Sequence, residues 1–326
     1  MRVLLTRALF YIITAFAAIT INFFLPRMMP GDPIERMLVR FQGQLSPEAV
    51  FALRKLFGEG DDNLWTQYWA YWGNIFRGDL GVSISAYPAS VGSMIGQGLP
   101  WTLGLIGLCT VLSFAIGISL GMLVGWRRGS WWDGLVPFTT FLSSIPYFWF
   151  GIIMVYLFAI ILHWFPLSGG YQAGLMPGWN GDFITSVVVY GTLPAITIVI
   201  SSVGGWLLGM RNMMVTTLSE DYVLLAQAKG LKTSRVRQRY AGRNAILPSL
   251  ASFAMSLGFL VGGSIVTEVV FNYPGLGYTL FQAVNQQDYP LMQGIFLVIT
   301  LTVLVANLIA DFVYVMLDPR TRQEAH

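Results

Sequence analysis

Charge is scarce in this sequence, and so are the side chains that usually do chemistry. Only 11% of the 326 residues are Asp, Glu, Lys or Arg, against roughly 25% in an ordinary soluble domain. There is one cysteine, Cys109, which excludes a disulfide framework and a Cys-x-x-Cys redox pair. The two histidines, His163 and His326, lie far apart in the chain, so neither a zinc site nor a Ser-His triad finds support. No G-x-x-x-x-G-K-[ST] occurs, so no P-loop is available to hold ATP. The chain is read as a non-enzyme that binds no cofactor of its own.

What fills the sequence instead is apolar, at 55% of residues. A bilayer core of about 30 Å takes roughly 20 helical residues to cross. Six stretches qualify: Ala8–Leu25, Trp101–Trp126, Leu135–Trp164, Val187–Met210, Ile246–Phe271 and Ile295–Leu317. The third is long for one span, and Pro137 and Pro146 within it predict a kink or an interfacial entry. The expected fold class is an all-α membrane protein with six transmembrane helices.

The basic residues orient it. Of the 19 Lys and Arg, 13 fall on one face: Arg2, Arg7, Arg127, Arg128, Arg211, Lys229, Lys232, Arg235, Arg237, Arg239, Arg243, Arg320 and Arg322. The other six lie in one long loop, which translocates largely regardless of charge. Both termini are therefore expected in the cytoplasm. This asymmetry accounts for the basic balance without any nucleic acid. Arg2 and Arg7 before an apolar run resemble a secretory signal, but no small-residue cleavage site follows, so a retained anchor is expected.

Three regions follow from this: residues 1–26 as the first transmembrane helix, 27–98 as an external (periplasmic or extracellular) helical segment, and 99–326 as a core with five further spans. In the external segment, Ser46 and Pro47 open a helix that stops near Gly58. Trp65, Tyr68, Trp69, Trp72 and Phe76 mark a second helix with an aromatic stripe. Such a stripe fits a packing face or an interfacial belt, and more rarely a contact with another protein. Glycines at four-residue spacing, Gly117, Gly121 and Gly125, then Gly258 and Gly262, allow close helix approach either within the chain or between subunits. Two acids stand in spans. Glu268, near an external end, is open to both a pathway or gate role and a structural hydrogen bond; Asp311 is expected at the inner interface.

The most informative stretch is the loop 211–245, a basic segment between the fourth and fifth spans. Ser219 is expected to cap a short helix with Glu220 and Asp221 in its first turn and Lys229 in its last. Gly230 fits the left-handed position that ends such a helix. Leu247 and Pro248 mark the return to the membrane.

This order of small residues, glycine and a later Leu-Pro resembles the cytoplasmic loop of permeases of ATP-binding cassette importers, through Ala226, Ala228, Gly230 and Leu247-Pro248. Leu224 stands where that family has Glu. The spacing from Gly230 to Pro248, with MPGDP at Met29–Pro33, RGDLGVS at Arg77–Ser83, RRGSWWD at Arg127–Asp133, VVFNYPGLG at Val269–Gly277 and LDPR at Leu317–Arg320, is similar to the peptide/nickel-type, dipeptide/oligopeptide permease B-like branch.

The resemblance implies one half of a heterodimeric pore in the cytoplasmic (inner) membrane of a prokaryote, completed by a homologous second permease subunit. It also implies two ATP-binding cassette subunits carrying ATP and Mg²⁺, and an external solute-binding protein. The helix with Glu220, Asp221, Tyr222, Ala226, Ala228, Lys229, Gly230 and Leu231 would be the coupling helix seated on an ATPase. Oligopeptides or dipeptides are the first expected solutes, with oligosaccharides of the beta-glucan or cellobiose type and nickel chelates as alternatives. A stand-alone secondary transporter is the rival of a different class; it would place acids near the midplane at broken helices, where Glu268 and Asp311 do not fall.

Overall fold

A computed structural model describes residues 2–28, 63–258 and 265–317. The MPGDP motif, the helix expected from Ser46 to Gly58, Gly262 and all but the first residue of LDPR lie outside them. Among the described residues the chain is all-helical, without strands beyond one isolated bridge between Val82 and Ser90. The helices are α1 (Arg2–Phe24), α2 (Leu64–Arg77), α3 (Val91–Trp126), α4 (Leu135–Ser144) and α5 (Tyr147–Met154, continued by π-helical Val155–Ile161). They are followed by α6 (Gly181–Thr217), α7 (Asp221–Ala228), and α8, which joins Thr233–Arg235, π-helical Val236–Gly242 and Arg243–Ala245. Last come α9 (Leu247–Gly258), α10 (Ile265–Val270), α11 (Leu276–Gln286) and α12 (Tyr289–Leu317).

By length and composition, α3, α6 and the Tyr289–Ile309 part of α12 can each cross a membrane. A fourth span is available if α4 and α5 count as one, although the pair is bent by 93°. The bend has a local cause. Ile145 precedes Pro146, whose ring disfavours the α region for its neighbour, and Ile145 is extended at φ −72°, ψ 128°. Pro137 falls in the first turn of α4, where a missing N–H breaks no helical bond. At 36 residues α3 is about 54 Å long, more than a whole bilayer with its headgroups. It starts ten residues before the apolar stretch read from the sequence, so Val91–Gly98 belong to this helix rather than to a separate segment.

The chain forms two compact units: residues 1–100 with 275–304, and residues 101–274 with 305–326. In the first, α2 is bounded by Asn63, whose side chain accepts from the Trp65 N–H, and by left-handed Gly78 at φ 72°. It runs antiparallel to the second half of α1. Trp72 stacks on Phe16 at 5.5 Å and Tyr68 meets Phe23 at 5.3 Å. The Tyr68 hydroxyl pairs with Thr20, and Asn22 donates to the Tyr71 hydroxyl. The aromatic stripe is thus split: Tyr68 is buried as a packing residue, while Trp65, Trp69 and Phe76 stay exposed. The same unit holds a buried carboxylate, Asp288, that accepts from both Ser83 and Ser85 hydroxyls, the Ser85 N–H and the Leu291 N–H. It thereby caps α12 and pins the loop after α2.

In the second unit, α3 lies directly on α6. A Cβ on Gly117 would stand 2.4 Å from Trp206 Cβ, one on Gly121 2.5 Å from the Leu207 carbonyl oxygen, and one on Gly125 2.6 Å from Met214 Cβ. These three glycines therefore serve packing within the chain. Gly204 does the same for α6 against α4, next to Ser143 and Thr139. Adding one methyl at such a contact overpacks it by about 1–3 kcal/mol. Gly121→Ala is accordingly expected to lower the thermal unfolding temperature of the purified protein, whereas Gly104→Ala, with nothing within 4 Å, leaves it level or raises it.

Candidate functional site

The short helix α7 lies in the basic connection between α6 and α9. The expected Ser219 cap is corrected here: the Ser219 hydroxyl turns back and donates to the Thr216 carbonyl, finishing α6. Glu220 takes the cap position with extended backbone, and its carbonyl accepts from Val223 and Leu224 N–H. Its side chain makes no capping bond. Asp221 follows in the first turn, where a negative charge complements the helix dipole. Residues 211–217 are still α6, so the connection opens at Leu218 rather than at 211.

The far end is closed by a pair of bonds from beyond the helix. The Gly230 N–H donates to the Gln227 carbonyl and the Leu231 N–H to the Ala226 carbonyl, with Gly230 left-handed at φ 71°. This is the Schellman pattern, and Leu231 supplies its usual hydrophobic contact by packing on the cluster that holds Ala226. Nothing lies within 4 Å of a Cβ built on Gly230. Glycine is used here for its conformation and not for space.

Two faces of α7 differ sharply. Val223 and Ala226 are 0% and 3% exposed and join Ile118, Met210, Met214, Val236, Ala241 and Ala245 in one apolar cluster. That cluster roots α7 on α3, α6 and α8. The opposite face shows Tyr222, Leu224 and Leu225 at 38%, 49% and 56% exposure, with Ala228 and Lys229 beside them. Ala226 packs against its own chain and is not part of the outward face of α7. The exposed leucines were missed by sequence reasoning. Their signal was two consecutive leucines in an otherwise polar loop, legible only once the inward pair Val223 and Ala226 is known. Leu247 and Pro248 open α9 almost without interruption, since the Ile246 N–H bonds to Gly242 and the Leu250 N–H to Ile246.

At the other end of this unit, Glu268 in α10 is 0% exposed. Its carboxylate accepts from the Thr102 hydroxyl at 2.7 Å, tying α10 to α3. An aromatic group adjoins it: Trp101 stacks on Tyr171 at 5.7 Å and meets Tyr273 and Phe183 edge-on. Gly170 sits against Pro274, where a Cβ would be 2.7 Å away, and the Gly169 N–H donates to the Phe271 carbonyl. Burial first, and then the negative charge of Glu268, push the Tyr273 phenol up to about 12, so it stays neutral. Among the described residues no group of three His, Cys, Asp or Glu could hold a metal.

The chain, all-helical among the described residues, is built as an integral membrane component, with apolar spans and a short connector helix buried on one face and exposed on the other. Residues 117–323 match the family described as binding-protein-dependent transport system inner membrane component. Similar proteins include the oligopeptide transport system permease protein AppB of Bacillus subtilis strain 168, 34% identical over 305 residues and 92% of each chain. Others are the di/tripeptide transport system permease protein DppB of Pseudomonas aeruginosa strain UCBPP-PA14, at 33% over 336 residues (95% of this chain, 96% of the relative), and the dipeptide transport system permease protein DppB of Escherichia coli K12, at 32% over 345 residues and 98% of each. The chain belongs to this family of inner-membrane permease components, which are not its catalytic subunits.

Glu268 offers a direct test of the site's internal wiring. Removing its acceptor leaves the Thr102 hydroxyl buried without this partner, a loss of about 1–3 kcal/mol. Glu268→Ala should therefore unfold at lower temperature in detergent, while Glu268→Gln, which keeps an acceptor oxygen, stays close to the parent.

Proposed function

We propose that this chain is one half of the pore of an ATP-driven importer that takes up di- and oligopeptides handed over by an external binding protein. The observation that carries the mechanism is the exposed apolar face of α7. Leu224 and Leu225 stand out from a helix whose other face is anchored in the core, a geometry suited to docking a soluble subunit and passing its motion into α3 and α6. In this reading α7, with Glu220, Asp221, Tyr222, Ala228, Lys229, Gly230 and Leu231, is the coupling helix. ATP and Mg²⁺ reside on the partner ATPases, and a homologous permease completes the pore. Peptide is preferred to oligosaccharide or nickel chelate because the relatives named above are peptide permeases. Six crossings follow if α1, the α4–α5 pair and α9 with α10 each traverse the bilayer alongside α3, α6 and α12. Glu268 then lies near the external mouth, and a pathway role for it predicts that Glu268→Gln loses uptake at parental stability.

Orientation is tested by cysteine labelling on intact cells. Ser219 and Met176 are both exposed, at the two ends this reading assigns to opposite sides. Cysteine at 176 should react with an impermeant thiol reagent and cysteine at 219 should not; the reverse pattern would invert the topology.

Coupling is tested in the reconstituted complex. Leu225→Asp places a charge on the outward face of α7, and Gly230→Val strains its left-handed end by about 1–3 kcal/mol. Each should reduce the stimulation of ATP hydrolysis by loaded binding protein at least severalfold, with solute capture by that protein unchanged. Normal stimulation in both variants would remove α7 from the transmission route.

A further inference from the structure

The segment after α7 carries a second surface of different chemistry. Lys229, Lys232, Arg235, Arg237, Arg239 and Arg243 follow within fifteen residues, and no Asp or Glu occurs from Tyr222 to Thr267. On α8, Val236, Ala241 and Gly242 are buried, and Gly242 sits against Met122, which fixes the helix by that side. Its other side is open. Ser234, Arg235, Gln238 and Arg239 line a shallow cleft of about 360 Å³, all four exposed. Among the described residues neither arginine forms an ion pair. Two guanidinium groups one turn apart, with a hydroxyl and an amide lining the same cleft, make a donor set that matches a phosphodiester oxygen cluster.

We infer that this cleft holds the phosphate headgroup of an anionic phospholipid. Position favours lipid over a soluble partner. The backbone runs from Arg243–Ala245 through Ile246 into the apolar helix Leu247–Gly258. Arg243 therefore precedes that helix by about 6 Å and Arg239 by about 12 Å, and the headgroup layer extends about 5–8 Å beyond the hydrocarbon, within reach of long side chains that extend along the helix. The apolar face of α7 offers the protein-docking chemistry, and the arginine face of α8 offers the lipid chemistry. Clusters of basic residues next to a span bind anionic lipid through this charge. The inference rests on the proposed cytoplasmic placement of this loop.

The test uses the full chain, purified in neutral detergent with the subunits that travel with it. It is titrated with phosphatidylglycerol and with phosphatidylcholine, and bound lipid is counted by native mass spectrometry. The parent should retain phosphatidylglycerol in preference to phosphatidylcholine. Arg235→Ala/Arg239→Ala should weaken that retention on the order of tenfold, and so should Arg235→Gln/Arg239→Gln, which keeps more of the side-chain bulk. Arg127→Ala/Arg128→Ala, on another basic turn, should not. Unchanged retention in the α8 variants overturns the inference. Equal displacement of the lipid by inorganic phosphate overturns it in favour of a free-anion site. Loss of co-purifying subunits with lipid binding intact overturns it in favour of a protein contact. Adducts in detergent form whichever way the chain crosses the membrane, so a reversed thiol-labelling pattern would refute the topology without altering this measurement.

Discussion

Backbone-to-backbone contact between α3 and α6 is the constraint on which the second unit depends. Water-driven burial is unavailable inside a bilayer, so helices there associate through close packing. Gly117, Gly121 and Gly125 remove the Cβ atoms of α3 at three successive turns and let its backbone touch the Leu207 and Arg211 carbonyls and the Cβ atoms of Trp206, Met210 and Met214. The same stretch of α6 meets α4 through Gly204. Its far end, at Met210 and Met214, forms the floor on which α7 rests. Anything that shifts α7 therefore presses on α6, and through the glycine seam on α3.

That arrangement explains why α7 can be short. An isolated helix of eight residues is far below the length that is stable in water. Here it is held by Val223 and Ala226 in the apolar cluster and by the paired bonds from Gly230 and Leu231. A partner that docked on its outer leucines, as proposed above, would not have to order the helix, because the inner face has already done so. A connector that is rigid before its partner arrives transmits displacement; one that folds on contact would absorb it.

The parts of this architecture that follow one-dimensional rules were legible in the sequence. Apolar stretches gave the long helices, Pro146 gave the break, and Gly230 gave the left-handed end. What escaped depended on neighbours distant in the chain. Ser219 was a credible cap by type, yet its hydroxyl is taken by the Thr216 carbonyl one turn back. The family-like motif places Ala226 on a short helix without saying which way it faces, because its environment comes from α3, α6 and α8. Helix ends were misplaced where apolarity stops but helicity does not, as at Val91 and Thr217. The pairing of Ser83 with Asp288 spans 205 residues, and nothing in local pattern announces it, although both residues fall in conspicuous polar stretches.

The buried acids show how few charges this chain uses and how firmly it fixes them. Asp288 is surrounded by neutral donors, three from the loop after α2 and one from the first turn of α12. Glu268 holds the Thr102 hydroxyl across two helices. A carboxylate removed from water is tolerable only where donors replace the lost hydration, so each acid specifies the position of the elements that donate to it. A leucine at either site would pack, but it would leave the serine or threonine hydroxyls without these acceptors and the joined segments free to slide. Such directional contacts set positions that dispersion alone would leave loose. The exposed arginines of α8 follow the opposite logic, because they keep their charge at the surface and leave their donors available.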